Sequence, residues 1–193
     1  PHLDAPEGIT LVNQTPGKDY EQDPYRAELR GVYGCIAYVN QLAKLHHITQ
    51  GSITLACDCW SALVNVFYHY YDTPSQAQYD LVHACRLLIR DSPITWHAHH
   101  VKGHQDDLLS YNQLDRWGQL NVDMDALAKQ HWQTISQEQR PYFSLPPTTE
   151  WSLWQHNHRI TSWSENNGLE LLYRKPSTVY WKKKQRIPET APD

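Results

Sequence analysis

Ser52-Ile53-Thr54-Leu55-Ala56-Cys57-Asp58 alternates along its length. In an extended chain Ile53, Leu55 and Cys57 fall on one face, and Thr54, Ala56 and Asp58 on the other. The small, apolar content predicts a central strand. Trp60 to Tyr70 continues as a short helix, so the strand ends on a carboxylate and turns directly into a helix. Ligands of α/β sheets gather beyond the carboxyl ends of strands. Asp58 stands at such an end.

Upstream, Asp23-Pro24 opens a helix, with Asp as N-cap and Pro at the first helical position. Leu29, Val32, Ile36, Val39 and Ala43 follow at helical spacing, and Gly51 ends the segment beyond His46 to Ile48. Glu28 lies near the helix start, at the edge of that apolar stripe. Earlier still, Gly8 to Val12 alternates like a strand, and Asn13 to Asp23 is a loop turning at Thr15-Pro16-Gly17. Downstream, Gln76 to Arg90 reads as a second long helix and Ile94 to Val101 as the next strand. Lys102 to Gln119 reads as a loop with a helical turn near Leu114 to Gly118, and Leu120 to Gln133 as a third helix. Strands alternating with helices imply an α/β layer fold.

Residues 1–140 are expected to form this domain and 141–150, with Pro146-Pro147, a linker. Residues 151–193 form a small appendage. Trp151, Trp154 and Trp163 surround a hairpin turn at Gln155 to His158, and Leu169 to Tyr173 and Thr178 to Ile187 read as helical. Tyr173-Arg174-Lys175 and Trp181-Lys182-Lys183-Lys184-Gln185-Arg186 interleave basic and aromatic residues. Such a segment suits phosphates and bases, or a solvated helix face.

The 193 residues hold one domain with an ordinary core plus an appendage, and 40% hydrophobic content suits a globular chain. No stretch reaches the length of a membrane span, and no basic run followed by an apolar segment opens the chain. Cys57 and Cys59 point to one strand face, and Cys35 and Cys85 fall on apolar helix faces. Buried free thiols in a reducing intracellular compartment, cytoplasm or nucleus, are expected. The net charge of −4 and pI near 6.3 weigh against tight independent binding of nucleic acid. A metal-dependent nuclease stays open, because its ions supply local positive charge.

Four positions carry the chemistry: Glu28 in Tyr25-Arg26-Ala27-Glu28-Leu29, Asp58 in Leu55-Ala56-Cys57-Asp58-Cys59, His104 in Val101-Lys102-Gly103-His104-Gln105-Asp106, and Asp125 in Asn121-Val122-Asp123-Met124-Asp125-Ala126-Leu127-Ala128. Each has an ordinary explanation. Glu28 complements a helix dipole. Asp58 caps the following helix. His104 is a polar loop residue. Asp106 and Asp107 beside it read as a solvated pair, and Asp123 as a charge on a different side of the helix from Asp125. His97, His99, His100 and His104 suggest zinc, but His100 faces away from its neighbours and no Cys pair stands at ligand spacing.

Together, in this order, the four motifs resemble the ribonuclease H domain of retroelement reverse transcriptases of the LTR-retrotransposon kind. The resemblance runs from Gly8 to Trp132 and implies a mixed central sheet flanked by helices. It implies that Glu28, Asp58 and Asp125 bind two Mg²⁺ ions, with Mn²⁺ as a substitute. It assigns His104 to proton transfer or product release. The activity implied is endonucleolytic hydrolysis of the RNA strand of an RNA–DNA hybrid. The partners implied are the hybrid and the reverse transcriptase and integrase segments of a parent polyprotein. The family's pattern selects Asp125 over Asp123, since Asn precedes the catalytic Asp by four positions and Leu-Ala follows it. The 21 positions from His104 to Asp125 (125 − 104) exceed the compact bacterial spacing.

The family's first catalytic Asp, on its first strand, has no counterpart; Asp4 and Asp19 lie in other settings. A fragment lacking the first strand is expected, poorly stable or inactive alone. A degenerate copy kept for binding or architecture is one alternative. An integrase-like polynucleotidyl transferase is another, although that class carries its Glu on a late helix, where this chain has Asp125.

Overall fold

Asp23 starts the first helix by accepting a hydrogen bond from the Arg26 backbone N–H at 2.6 Å. The helix, α1, spans Pro24–Leu45 and ends where His47 turns into the left-handed region at φ 54°. These details come from a computed structural model that describes residues 10–12, 15, 23–68, 76–134, 154–155 and 158–159. The chain divides into two compact units, Pro1–Tyr70 with Leu81–Thr148, and Tyr71–Asp80 with Thr149–Asp193.

The first strand, β1, covers Ser52–Cys57. Helix α2, Trp60–Leu63, widens into a π-helical segment at Val64–Tyr68. Helix α3 spans Tyr79–Arg90, strand β2 Thr95–His100 and helix α4 Arg116–Thr134. Short 3₁₀ turns at Gln105–Asp107 and Tyr111–Gln113 join β2 to α4. In the second unit, β3 (Trp154–Gln155) pairs antiparallel with β4 (His158–Arg159). The class is mixed α/β, rich in helix, with a small parallel sheet.

Strands β1 and β2 pair in parallel from Ser52↔Thr95 to Cys57↔His100. Parallel strands need a crossover, and α3 lies on it. The core forms where α1, α2, α3 and the sheet meet. It includes Leu29, Val32 and Ile36 from α1, Leu55 from β1, Leu63 from α2, and Leu81, Val82 and Cys85 from α3. The apolar stripe predicted for α1 is the buried one, although Val39 is only half-buried. Polar contacts fix the layers. Asn40 donates to the Leu88 carbonyl at 2.8 Å, and Ser92 Oγ receives the Trp96 indole N–H at 3.0 Å. Asn65, in the π-helical segment, donates to Tyr25 Oη at 2.6 Å, and its carbonyl accepts from Arg86 Nε at 2.9 Å.

Several expectations need correction. Thr10–Val12 form no strand; Leu11 and Val12 are exposed, and alternation alone gave them nothing to pair with. Helix α3 begins at Tyr79 rather than Gln76, because Gln78 sits at φ 55°, outside helical space. Helix α4 begins at Arg116 rather than Leu120. Asp115 Oδ1 accepts from the Gly118 N–H at 2.7 Å, a cap hidden inside a segment read as loop. Cys35 is exposed rather than buried, whereas Cys85 lies in the core. Strand β1 has β2 as its neighbour, with no second partner among the described residues. Residues 141–150, the basic tail segments and the helices expected at 169–173 and 178–187 lie outside the described residues. Among those described, no helix is long and apolar enough to cross a membrane.

The core assignment predicts unequal costs for equal truncations. Leu63→Ala, at a fully buried site, should destabilise the chain by about 2–5 kcal/mol in urea unfolding. Leu108→Ala, at a site 81% exposed, should stay within about 0.5 kcal/mol.

Candidate metal centre

The parallel register brings both strand ends to one edge of the sheet. The Val101 N–H donates to the Cys57 carbonyl at 3.1 Å, so the strands stay paired to their last residues. Asp58 leaves β1 there, and Lys102-Gly103-His104 leaves β2 beside it. Gly103 presses against the Asp58 carboxylate. A Cβ at that position would stand 3.1 Å from Asp58 Oδ2, closer than side chains ordinarily approach. Glycine thus lets the loop pass the carboxylate without displacing it. The His100 Nε2–H donates to the Asp58 carbonyl at 3.0 Å, which fixes the ring and its tautomer.

Glu28 arrives from α1. The packing of Leu29 and Val32 into the core directs the adjacent Glu28 toward the end of β1. The Cys57 thiol donates to Glu28 Oε2 at 3.7 Å. One donor atom each from Glu28, Cys57 and Asp58 lies within 4.8 Å of the others, the one such group among the described residues. From α4, Asn121 Nδ2 donates to Asp58 Oδ2 at 3.3 Å. Asp125 follows one helical turn later, on the same face. Its side chain is exposed, and its charge is felt at Glu28.

The electrostatics record crowding of like charges. Burial raises the Glu28 carboxyl above the ordinary carboxylate range. The Asp58 charge raises it further, the Cys57 hydrogen bond opposes the rise, and Asp125 adds to it. Burial also pushes the Cys57 thiol up to about 12, with Glu28 and Asp58 contributing. The thiol therefore stays protonated near neutrality and acts as a donor. The two carboxylates of this group fit a hard divalent cation, whereas the protonated Cys57 sulfur is no ligand for one. Carboxylate oxygens are the ligands Mg²⁺ prefers, and it retains waters at its other positions.

The remaining predicted residues divide. His104 sits on the adjoining loop at φ 53° with an exposed side chain. Asp106 and Asp107 lie in the following 3₁₀ turn and are exposed. Asp123 accepts from the Tyr111 hydroxyl at 3.0 Å, a structural contact separate from the cluster. The histidines of β2 go to different neighbours: His99 stacks on Trp117 at 4.9 Å, and His100 meets Trp60 edge-on at 5.4 Å.

Two participants escaped the sequence reading. The sequence marks Cys57 as a strand residue and a free thiol, not as a partner of Glu28, although it immediately precedes Asp58. Asn121 served as a landmark for Asp125. Its four-residue spacing placed it on the same helix face, and that signal was available. Comparison with known protein families, characterised proteins and solved structures finds no match.

The raised Glu28 carboxyl has a consequence for stability. Folding opposes its ionisation, so the protonated form stabilises the fold relative to the charged one. That contribution is complete below the unfolded carboxylate range and is lost as pH rises through the raised value. In chelator, Glu28→Gln should therefore melt above wild type at about pH 8, and the gap should close toward about pH 4. Differential scanning calorimetry at the two values checks this.

Proposed function

We propose that the chain is a ribonuclease H-type domain of a retroelement polyprotein. Its reaction is Mg²⁺-dependent hydrolysis of the RNA strand of RNA–DNA hybrids, in the cytoplasm or nucleus. One observation carries the reading. Glu28 and Asp58, distant in sequence, bring ligand atoms within 4.8 Å of one another at the carboxyl edge of a parallel strand pair, beside a Gly-His loop, and Asp125 shares the α4 face of Asn121, which bonds Asp58.

In this reading Glu28, Asp58 and Asp125 would hold the cation. When bound, Mg²⁺ supplies Lewis-acid stabilisation of charge on a phosphodiester and makes a water easier to deprotonate. The residues do the rest. Asn121 orients Asp58 through its hydrogen bond, and His100 anchors the same residue through its backbone. The protonated Cys57 thiol orients Glu28. His104, exposed on the loop next to Gly103, exchanges a proton with water or product. Recognition of the hybrid by backbone shape and the RNA 2′-hydroxyl needs no base-specific contact, which suits an acidic chain fed by neighbouring polyprotein segments.

Three carboxylates leave the family's fourth unmatched. No other acidic side chain acts on Glu28 among the described residues. The direct test is cleavage of a labelled RNA–DNA hybrid in Mg²⁺ by residues 1–193 and by a form extended upstream. We expect cleavage by the extended form and a loss of about 100-fold or more in Asp58→Asn. His104→Ala should retain the metal dependence while slowing turnover about 10- to 100-fold. Folded proteins with no cleavage in either form would instead support a binding or architectural remnant of the fold.

A further inference from the structure

An exposed aromatic group adjoins the carboxylates, and neither the metal centre nor the core uses the Trp60 and Tyr68 rings. Trp60 is 56% exposed and Tyr68 52% exposed. Their ring centroids lie 6.3 Å apart, and the exposed His100 ring meets Trp60 edge-on at 5.4 Å. The grouping follows from the backbone. Ala62 and Leu63 are buried, which turns Trp60 outward at the start of α2. Tyr68 lies eight positions on (68 − 60). In a plain α-helix of about 3.6 residues per turn, it would overshoot the Trp60 face by about 80°. The π-helical widening at Val64–Tyr68 takes up that excess and returns Tyr68 to Trp60.

The group is also tied to the metal centre. Trp60 is two residues beyond Asp58, so their Cα atoms are at most about 7.6 Å apart. His100 holds Trp60 with its ring and the Asp58 carbonyl with its Nε2–H. Large aromatic surfaces are usually withdrawn from water. Here they are pre-ordered and left open, next to a site suited to phosphodiesters.

We infer that Trp60, with Tyr68 and His100 as its supports, is a stacking platform for an unpaired nucleobase beside the scissile phosphodiester. The inference rests on the nuclease reading for its ligand. Stacking suits any base, because every base has a π-face. The duplex part of a hybrid hides those faces in its own stack, so the platform takes a base from a single-stranded flank or a frayed end. It thereby favours junctions between hybrid and single strand over uninterrupted hybrid.

Fluorescence anisotropy tests this with two labelled hybrids, one blunt and one carrying a short unpaired extension. Ca²⁺ replaces Mg²⁺ to supply oxygen-ligated charge with looser geometry. We expect Trp60→Ala to weaken binding of the extended hybrid about tenfold, with less than about twofold change for the blunt one. Trp60→Phe, which keeps a ring, should recover most of the loss. Unchanged melting temperatures would show that both variants fold, as the exposure of Trp60 leads us to expect. Equal weakening of both hybrids, or no weakening of either, overturns the platform; the latter result would leave the aromatic surface to a protein partner. Cleavage assays separate this from the nuclease reading. Asp58-dependent cleavage with no Trp60 effect on the extended hybrid sinks the platform alone. A selective Trp60 effect, with no cleavage by residues 1–193 or by the extended form, sustains the platform and sinks the nuclease.

Discussion

The seating of α1 on the sheet is the constraint on which the site depends. Leu29, Val32 and Ile36 enter the core together, and their burial fixes the rotation of the helix. Glu28 precedes Leu29, so that rotation brings its carboxyl to the end of β1, beside Asp58. The hydrophobic gain from several buried side chains, about 1.5–3 kcal/mol each, outweighs the repulsion it imposes at one edge. The raised Glu28 carboxyl is the residue of that conflict. A cation of double charge turns the repulsion into attraction.

The rest of the site consists of devices that tolerate or direct this crowding. Gly103 leaves out a Cβ that would crowd the Asp58 carboxylate. Asn121 and the backbone contact of His100 hold Asp58 from two sides. The Cys57 thiol gives Glu28 a neutral donor where a charged one would compete with a metal. These groups come from α1, β1, β2, α4 and the loop after β2. The cluster thus reads out the packing of the first unit, and a shift in any of these layers would move one of its groups.

The sequence made some of this legible through local physics. The alternation of Ser52 to Asp58, the Asp23-Pro24 start and the α1 stripe all became the elements expected of them. Periodicity and capping are written in neighbouring residues, so a short window suffices. The start of α4 was misplaced because Gly118 resembled loop chemistry, while the decisive Asp115 cap was a single hydrogen bond. The start of α3 was misplaced because the left-handed turn falls on Gln78, a residue that does not advertise it. The π-helical segment and the exposed Trp60–Tyr68–His100 group have no pattern in one sequence, since they depend on how turns of helix add up and which side the core lies on. Glu28, Asp58 and Asp125 stand out in the sequence by their settings, but the approach of Glu28 to Asp58 is a property of the folded chain alone.

If Glu28 and Asp58 hold a divalent cation together, each must contribute to its affinity. Titrating Mn²⁺ into the chain, with free ion followed by electron paramagnetic resonance, tests it without requiring catalysis. The account predicts saturable binding to the wild-type chain, weakened about tenfold or more by both Glu28→Gln and Asp58→Asn. Equal Mn²⁺ affinity in wild type and both variants, all folded, would contradict it.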